Sequence, residues 1–361
     1  MIGLIVRKFS STFYRYPQAP VVAERQGDFA RLKVALIADH LTETCLTFEC
    51  RVKNVTPKNF REVLRTWRPD ILLVESAFHG SNGSWRYELA KQPLWLRCTK
   101  PKAIFRVLEC ARSMGIPTVF WNKDDGAFFE HFIDVAKGFD HIFTTDANCV
   151  PRYRAMVPPG TTVDTLMIPY QPAFHSFDGF DFSTRTACFT GSYYLKILDA
   201  RRSFLDMLFQ SAQEAGARID VFDRNHDRFS RRFEFSFPET DAVRVHPRVS
   251  HWETGRLYKS HALSINVNSV TDSETMCSRR LLEILACGGI AVTNPSACVT
   301  KHFAPYCHVV ATPDEAREAF ARLKHGPDSR DLERAAEGAR YVRGAHTWGH
   351  RLKDICLVAG V

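Results

Sequence analysis

The sequence predicts an α/β protein of two Rossmann-like domains in tandem, with a cleft between them. Three observations predict this. Apolar runs of strand length alternate with helix-length segments along most of the 361 residues, which implies right-handed βαβ crossovers and parallel sheets. The alternation breaks once, at QPAFHSFDGFDFST (171–184), and then restarts. The length suits two domains of ordinary size, each able to bury its own core.

Taken in order, residues 1–31 read as an N-terminal arm or edge strand, with a basic-aromatic stretch at 13–16. Residues 32–170 form the first Rossmann-like domain. Its strands are expected at 32–39, 46–55, 70–76, 117–122, 140–146 and 163–168. Its helices are expected at 57–67, 101–114, 128–137 and 149–155. The loop 79–85, HGSNGSW, offers polar groups and a ring suited to stacking. Residues 171–184 are the linker, and 185–345 the second domain. There, strands are expected at 186–191, 217–223, 243–249, 262–268, 290–293 and 308–312, with helices at 200–215, 251–259 and from 313 onward. Residues 346–361 are a closing C-terminal helix.

The organising stretch is SRRLLEILACGGIAVTN (278–294). Leu281, Ile284 and Leu285 form one apolar helix face. Gly288 and Gly289 end the helix, because glycine readily takes the left-handed conformation of a C-terminal cap. Arg279, Arg280 and Glu283 sit at its start. Taken alone, Arg279 and Glu283 are an i, i+4 surface pair worth a few tenths of a kcal/mol.

Apolar content of 45% and charged content of 24% are those of a globular protein. No run approaches the roughly 18 apolar residues of a membrane helix. The start, MIGLIVRKF, has its apolar and basic residues in the wrong order for a secretory signal. A cytoplasmic protein is expected. The net charge of +8 fits an anionic ligand, an anionic membrane surface or a nucleic acid. The 11 cysteines contain no C-x-x-C and no zinc spacing, so they read as reduced core thiols. No H-E-x-x-H or similar ligand spacing occurs, and neither a metal nor another cofactor is expected. The G-x-G-x-x-G fingerprint of nicotinamide sites is missing as well.

Polar residues gather at the carboxyl ends of the expected strands, where open α/β sheets bind ligands. These include Glu75, Asn122, Lys123, Asp125, Gly191, Ser192 and Asn268. A simpler role exists for each: Asp125 can cap a helix, and Gly191 can serve only a turn.

The second domain resembles the GT-B glycosyltransferases, and within them the CgeB-like group with its family-1-type domain. FTGSYYLKILDARRSFL (189–205), SRRLLEILACGG (278–289), HVVATPDEAREAF (308–320) and HTWGHRLKDI (346–355) carry the resemblance. It spans about residues 185–358. In the first half it rests on FWNKDD (120–125) and FDHIFTTD (139–146). Broader retaining members carry E-x7-E. Glu283 matches the second glutamate, and Thr275 stands where the first would be.

The resemblance implies a glycosyltransferase that moves a sugar from a nucleotide-sugar donor to a glycan, lipid-linked or other cell-envelope acceptor, with retention of configuration. Gly191, Ser192, Asn268, Ser278, Arg279 and Glu283 would bind the donor, Glu283 through ribose hydroxyls. Arg279 would steady the diphosphate with one of Arg201 and Arg202, of which Arg202 is preferred, and Asp125 joins them as a catalytic candidate. Glu75, His79, Asn122 and Lys123 would bind the acceptor. The expected partners are the nucleotide sugar, the glycan or lipid-linked acceptor, and peripherally an anionic membrane surface. Nucleic acid is not expected, for want of a recognised motif. Two other readings stay open: a nucleotide-sugar epimerase of the same architecture, and a nucleotide- or nucleic-acid-binding protein without chemistry.

Overall fold

The computed structural model describes residues 20–22, 24–91, 102–322 and 325–361. Most of the expected N-terminal arm, its basic-aromatic stretch, Cys98 and the first residue of the helix expected at 101–114 lie outside these residues. The described chain divides into two units. One contains residues 20–169, 273–276 and 346–361, and the other residues 170–272 and 277–345.

The first unit runs β1 (Lys33–Ile37), α1 (His40–Leu46), β2 (Arg51–Asn54), α2 (Phe60–Glu62, continued by a π-helical turn at Val63–Trp67) and β3 (Ile71–Glu75). It continues with α3 (Ala103–Arg112), β4 (Thr118–Asn122), α4 (Phe129–Ala136), β5 (His141–Thr144), α5 (Val150–Arg154) and β6 (Thr162–Thr165). All six strands are parallel, in the order β2-β1-β3-β4-β5-β6. β3 and β4 are buried at every position, because helices cover both faces of a parallel sheet. Of the strand expected at 46–55, Leu46 ends α1, residues 47–50 form a turn, and only Arg51–Asn54 pairs with β1. Trp85, expected as an exposed stacking ring, is a core residue. Its indole N–H donates to the Val55 carbonyl at 2.7 Å, and it is 1% exposed.

The second unit runs β7 (Thr184–Gly191), α6 (Asp199–Glu214), β8 (Ile219–Asp223), α7 (Arg231–Glu234), β9 (Val243–Pro247), α8 (Thr254–Ser260) and β10 (His261–Ile265). It continues with α9 (Arg279–Ala286), β11 (Ala291–Thr293), β12 (His308–Val309), α10 (Pro313–Arg322) and α11 (Ser329–Ala345). Its sheet is also parallel, in the order β12-β11-β10-β7-β8-β9. Numbered within the unit, this is the 3-2-1-4-5-6 order of dinucleotide-binding folds. α9 ends where expected, at Gly288, whose φ is +69°. A Cβ there would also strike the Phe177 ring.

One part of the expected layout differs from the observed packing. The segment 171–184 is not a free linker, because it packs into the second unit. The Phe174 carbonyl lies against Gly255, where a Cβ would come within 2.5 Å of it. The last helix, α12 (Trp348–Ala359), packs with the first unit. Trp348 meets Trp121 edge-on at 5.6 Å, and Arg351 donates to the Met167 carbonyl at 2.6 Å.

Candidate active site

In each sheet the strand order reverses once, and the strands diverge there at their carboxyl ends. In the second unit the reversal lies between β7 and β10. β7 ends in Thr190-Gly191, and the chain leaves β10 through Asn266, Val267 and Asn268. Arg201, in the first turn of α6, spans this gap. Its Nη1 donates to the Val267 carbonyl at 3.1 Å and its Nη2 to the Ser192 carbonyl at 3.3 Å.

Arg280 lies beside it. Its Nε donates to the Thr190 carbonyl at 2.6 Å, and its guanidinium rests on the Phe189 ring with Cζ 4.8 Å from the centroid. Gly191 makes room for it, since a Cβ there would sit 2.7 Å from Arg280 Nη2. The glycine thus gives room to the close side chains of Arg280 and Phe189, with no positive φ involved. Arg280 Nη1 and Arg201 Nε are shielded from solvent and make no hydrogen bond among the described residues. Burial, and then Arg280, lower the proton affinity of Arg201, and burial does the same to Arg280. A guanidinium keeps its charge through such shifts. The result is a concentrated positive charge with N–H groups to spare, at a sheet's switch point.

Asparagines set the start of α9 against this point. Asn268 Oδ1 accepts from the Ser278 N–H at 2.8 Å, and the Asn268 N–H donates to Asn294 Oδ1 at 2.7 Å. Ser278 is the N-cap in extended conformation, without a side-chain cap bond. Ser192 is 1% exposed, and its hydroxyl accepts from Asn225 Nδ2 at 2.8 Å.

One turn into α9, Glu283 is 4% exposed. Its Oε1 accepts from His251 Nε2 at 2.7 Å and from Arg279 Nε at 2.9 Å. Burial alone would raise its pKa, but His251, His175 and Arg279 outweigh burial and hold it well below the usual carboxylate range. His175 is fully buried, and burial lowers its pKa to about 3. The Thr254 hydroxyl donates to the His251 carbonyl, so it accepts from His175 Nε2 at 2.9 Å. His175, His251 and Glu283 present ligand-type atoms within 4.8 Å of one another, a set that could hold a metal ion. Arg279 already supplies a cation on the carboxylate.

The first unit is built differently at its switch point, between β1 and β3. Glu75 is fully buried and accepts from the Asp39 N–H at 2.6 Å, the Thr42 hydroxyl at 2.5 Å and Lys123 Nζ at 2.8 Å. Lys123 also reaches Asp39 at 3.3 Å. Burial disfavours the ammonium, but Glu75 and Asp39 raise its pKa above the ordinary value. Asn122 and Asp125 are fully buried and bonded to each other at 2.6 Å, and both meet the Tyr153 hydroxyl. Burial pushes Asp125 up to about 7. His79 is exposed in the loop after β3.

The expected donor residues Gly191, Ser192, Asn268, Ser278, Arg279 and Glu283 are therefore gathered around one switch point. Glu75 and Lys123 form an ion pair at the other, beside Asn122 and Asp125. Two expectations are corrected. Arg202 turns back onto its own helix start, donating to the Tyr194 and Leu195 carbonyls and to Asp199, and Arg201 takes the inward place. Asp125 is locked inside the wall by Asn122 and Tyr153. Arg280 and His251 lie at this switch point from outside the expected set. The buried face of α6, at Leu205, Leu208, Phe209 and Ala212, has the phase of Arg201 and could have selected it over Arg202. Thr275 accepts from the Ala147 N–H at 2.8 Å and donates to the Thr145 carbonyl at 2.9 Å. The position of the first family glutamate is thus used for packing in the first unit.

Residues 201–356 match the profile of a family described as glycosyl transferase-like. A search of curated protein sequences returns no match. Among solved structures, the chain is similar to an alpha-glucosyltransferase in complex with UDP and a 13-mer DNA containing a HMU base. The identity is 11% and the TM-score 0.60, over 91% of this chain and 99% of that one. The alpha,alpha-trehalose-phosphate synthase (UDP-forming) from Burkholderia vietnamiensis is 11% identical with a TM-score of 0.51, over 84% of this chain and 76% of that one. The sucrose-phosphate synthase of Thermosynechococcus elongatus is 10% identical with a TM-score of 0.50, over 88% and 78% respectively. At these identities the likeness to the solved structures is one of fold.

Proposed function

We propose that this chain, a family-1-type glycosyltransferase with a GT-B fold, transfers a sugar from a nucleoside-diphosphate donor to a hydroxyl of a glycan, lipid-linked or other cell-envelope acceptor in the cytoplasm. The observation that carries the donor reading is the Arg201 and Arg280 pair at the β7/β10 switch point, with shielded N–H groups that bond no acceptor among the described residues. A diphosphate offers the acceptor oxygens and the charge that such a pair needs. UDP in the alpha-glucosyltransferase complex makes UDP the first nucleotide to try.

Glu283 faces the ribose in this reading. Both of its protein bonds fall on Oε1, which leaves Oε2 to accept from a hydroxyl. Gly191 and Ser192 border the diphosphate. In the transfer, the bond from the anomeric carbon to the diphosphate oxygen breaks and a bond to the acceptor oxygen forms. The acceptor proton passes to the departing diphosphate. Negative charge grows on that diphosphate, and preformed guanidinium donors stabilise growing charge without reorganising. With arginines in this role the reaction demands no metal, and with retention it needs no separate base opposite the leaving group.

A thermal-shift panel of UDP-, GDP-, ADP-, CMP- and TDP-sugars tests the reading, since a ligand of the folded state must raise its stability. One nucleotide sugar should raise the Tm, and Glu283→Ala should abolish the shift while the protein stays folded. Arg279→Lys should weaken activity about tenfold, because the forked donor is lost. No shift with any nucleotide, or an unchanged shift in Glu283→Ala, would remove the donor assignment.

A further inference from the structure

We infer that a second surface of the nucleotide unit docks the protein on an anionic lipid membrane. This surface joins the loop after β7 to the loop after β8. It goes beyond the donor reading and stands on separate residues.

Along 225–235 the chain is coiled in successive turns. The Arg228, Arg231 and Phe233 N–H groups donate to the carbonyls three residues back, at 2.9, 3.0 and 3.0 Å. At its end the Glu234 and Phe235 N–H groups donate to the carbonyls four residues back, at 3.1 and 2.8 Å, a spacing that sets residues four apart near one another. Phe229 and Phe233 are such a pair, 73% and 64% exposed. Arg228 and Arg232 are the pair beside them. The other loop is fastened alongside: the Leu195 N–H donates to the Glu234 carbonyl at 2.9 Å, and the Tyr194 ring meets Phe235 edge-on at 5.6 Å. It adds Leu195 and Ile197, 37% and 51% exposed, with Lys196 between them. The next residue, Leu198, has a left-handed φ of +60° and leads into α6.

The charge on this surface is one-sided. Residues 224–235 contain four arginines against one aspartate and one glutamate. Arg231 is spent on Asp223 at 2.7 Å. Arg232 and Lys196 make no ion pair among the described residues. Exposed phenylalanine, leucine and isoleucine among basic side chains suit an interface where the apolar tips enter the acyl boundary. The basic groups would then meet anionic headgroups. Nucleic acid is the weaker partner for this surface, since the aliphatic Leu195 and Ile197 have no ring face on which a base stacks. The surface borders the carboxyl ends of β7 and β8, next to Gly191. If the acceptor is lipid-linked, docking here brings the donor site to the layer that holds it.

Co-sedimentation of the full chain with vesicles tests this. The protein should partition onto mixed phosphatidylcholine–phosphatidylglycerol vesicles and, at least tenfold more weakly, onto phosphatidylcholine alone. The double variant Phe229→Ser with Phe233→Ser, and separately Lys196→Glu with Arg232→Glu, should each weaken partitioning at least tenfold. Both variants should keep the wild-type circular dichroism and nucleotide-induced thermal shift. Failure of the wild type to bind the mixed vesicles overturns the proposal, as does equal binding to both vesicle types or unchanged binding in both variants. Salt-sensitive binding to a single-stranded oligonucleotide without vesicle binding does so too. A wild type that binds vesicles but shifts with no nucleotide leaves this proposal standing and removes the donor reading instead.

Discussion

The two sheets reach their switch points with opposite electrostatics. At β1/β3, the buried cation is answered from within: Glu75 holds Lys123, and Lys123 holds Asp39. At β7/β10, two arginines stand together with shielded N–H groups that find no acceptor among the described residues. Both places meet the topological rule for a ligand site. Only the second offers charge and donors in surplus, so topology nominates a site and the hydrogen-bond inventory decides its role. On the proposed reading, the first switch point stabilises its unit and the second is the one suited to an anion.

The largest expected effect tests the closed side. Lys123→Met leaves Glu75 buried without its counter-charge and should cost about 3–5 kcal/mol of stability. Urea unfolding checks this, and nucleotide affinity should stay at the wild-type value. Next comes the contrast within α6. Arg201→Ala should weaken nucleoside-diphosphate binding by about 2 kcal/mol, roughly thirtyfold, whereas Arg202→Ala, losing only bonds at its own helix start, should change it less than about twofold. Equal effects would return the site to Arg202.

The smallest effect is a pH contrast. Asp125, raised to about 7 from 3.8 by burial, contributes stability that is present below its unfolded pKa and lost as pH rises through 7. Asp125→Asn removes that titration. Its stability relative to wild type should therefore be higher at pH 8 than at pH 5, by on the order of 1–2 kcal/mol. His175 has the opposite sign. Its pKa falls from 6.5 to about 3, so its contribution is present above 6.5 and lost progressively as pH falls below that. Acid should weaken the nucleotide unit first. A flat difference between Asp125→Asn and wild type from pH 5 to 8 would show that Asp125 is ionised in the folded state.

Local pattern carried much of this architecture. Runs such as ILLVE and TVFWN could only be strands buried on both faces, and Gly288 marked the end of α9. The segment 171–184 was misleading because proline, glycine and aromatic residues suit a packed wall as well as a linker, and only contact with Gly255 and Gly288 separates the two. Trp85 was misleading for the same reason, since its partner, the Val55 carbonyl, is 30 residues away. Motif and spacing singled out Glu283 and Gly191, and both lie at the β7/β10 switch point. The division of labour between adjacent arginines was harder to read. Arg279 and Arg280 are neighbours in sequence, yet one bonds Glu283 and the other the β7 carbonyl. A rotation of 100° around the helix separates them, and the motif does not encode what each then meets.

Isothermal titration of the selected nucleoside diphosphate into wild type, Arg280→Ala and Lys123→Met tests the central claim most directly. The account predicts that Arg280→Ala weakens binding about 100-fold, near 2.7 kcal/mol, and that folded Lys123→Met binds like wild type. Wild-type affinity in Arg280→Ala, or loss of affinity confined to Lys123→Met, would place the anion site at the other sheet and contradict it.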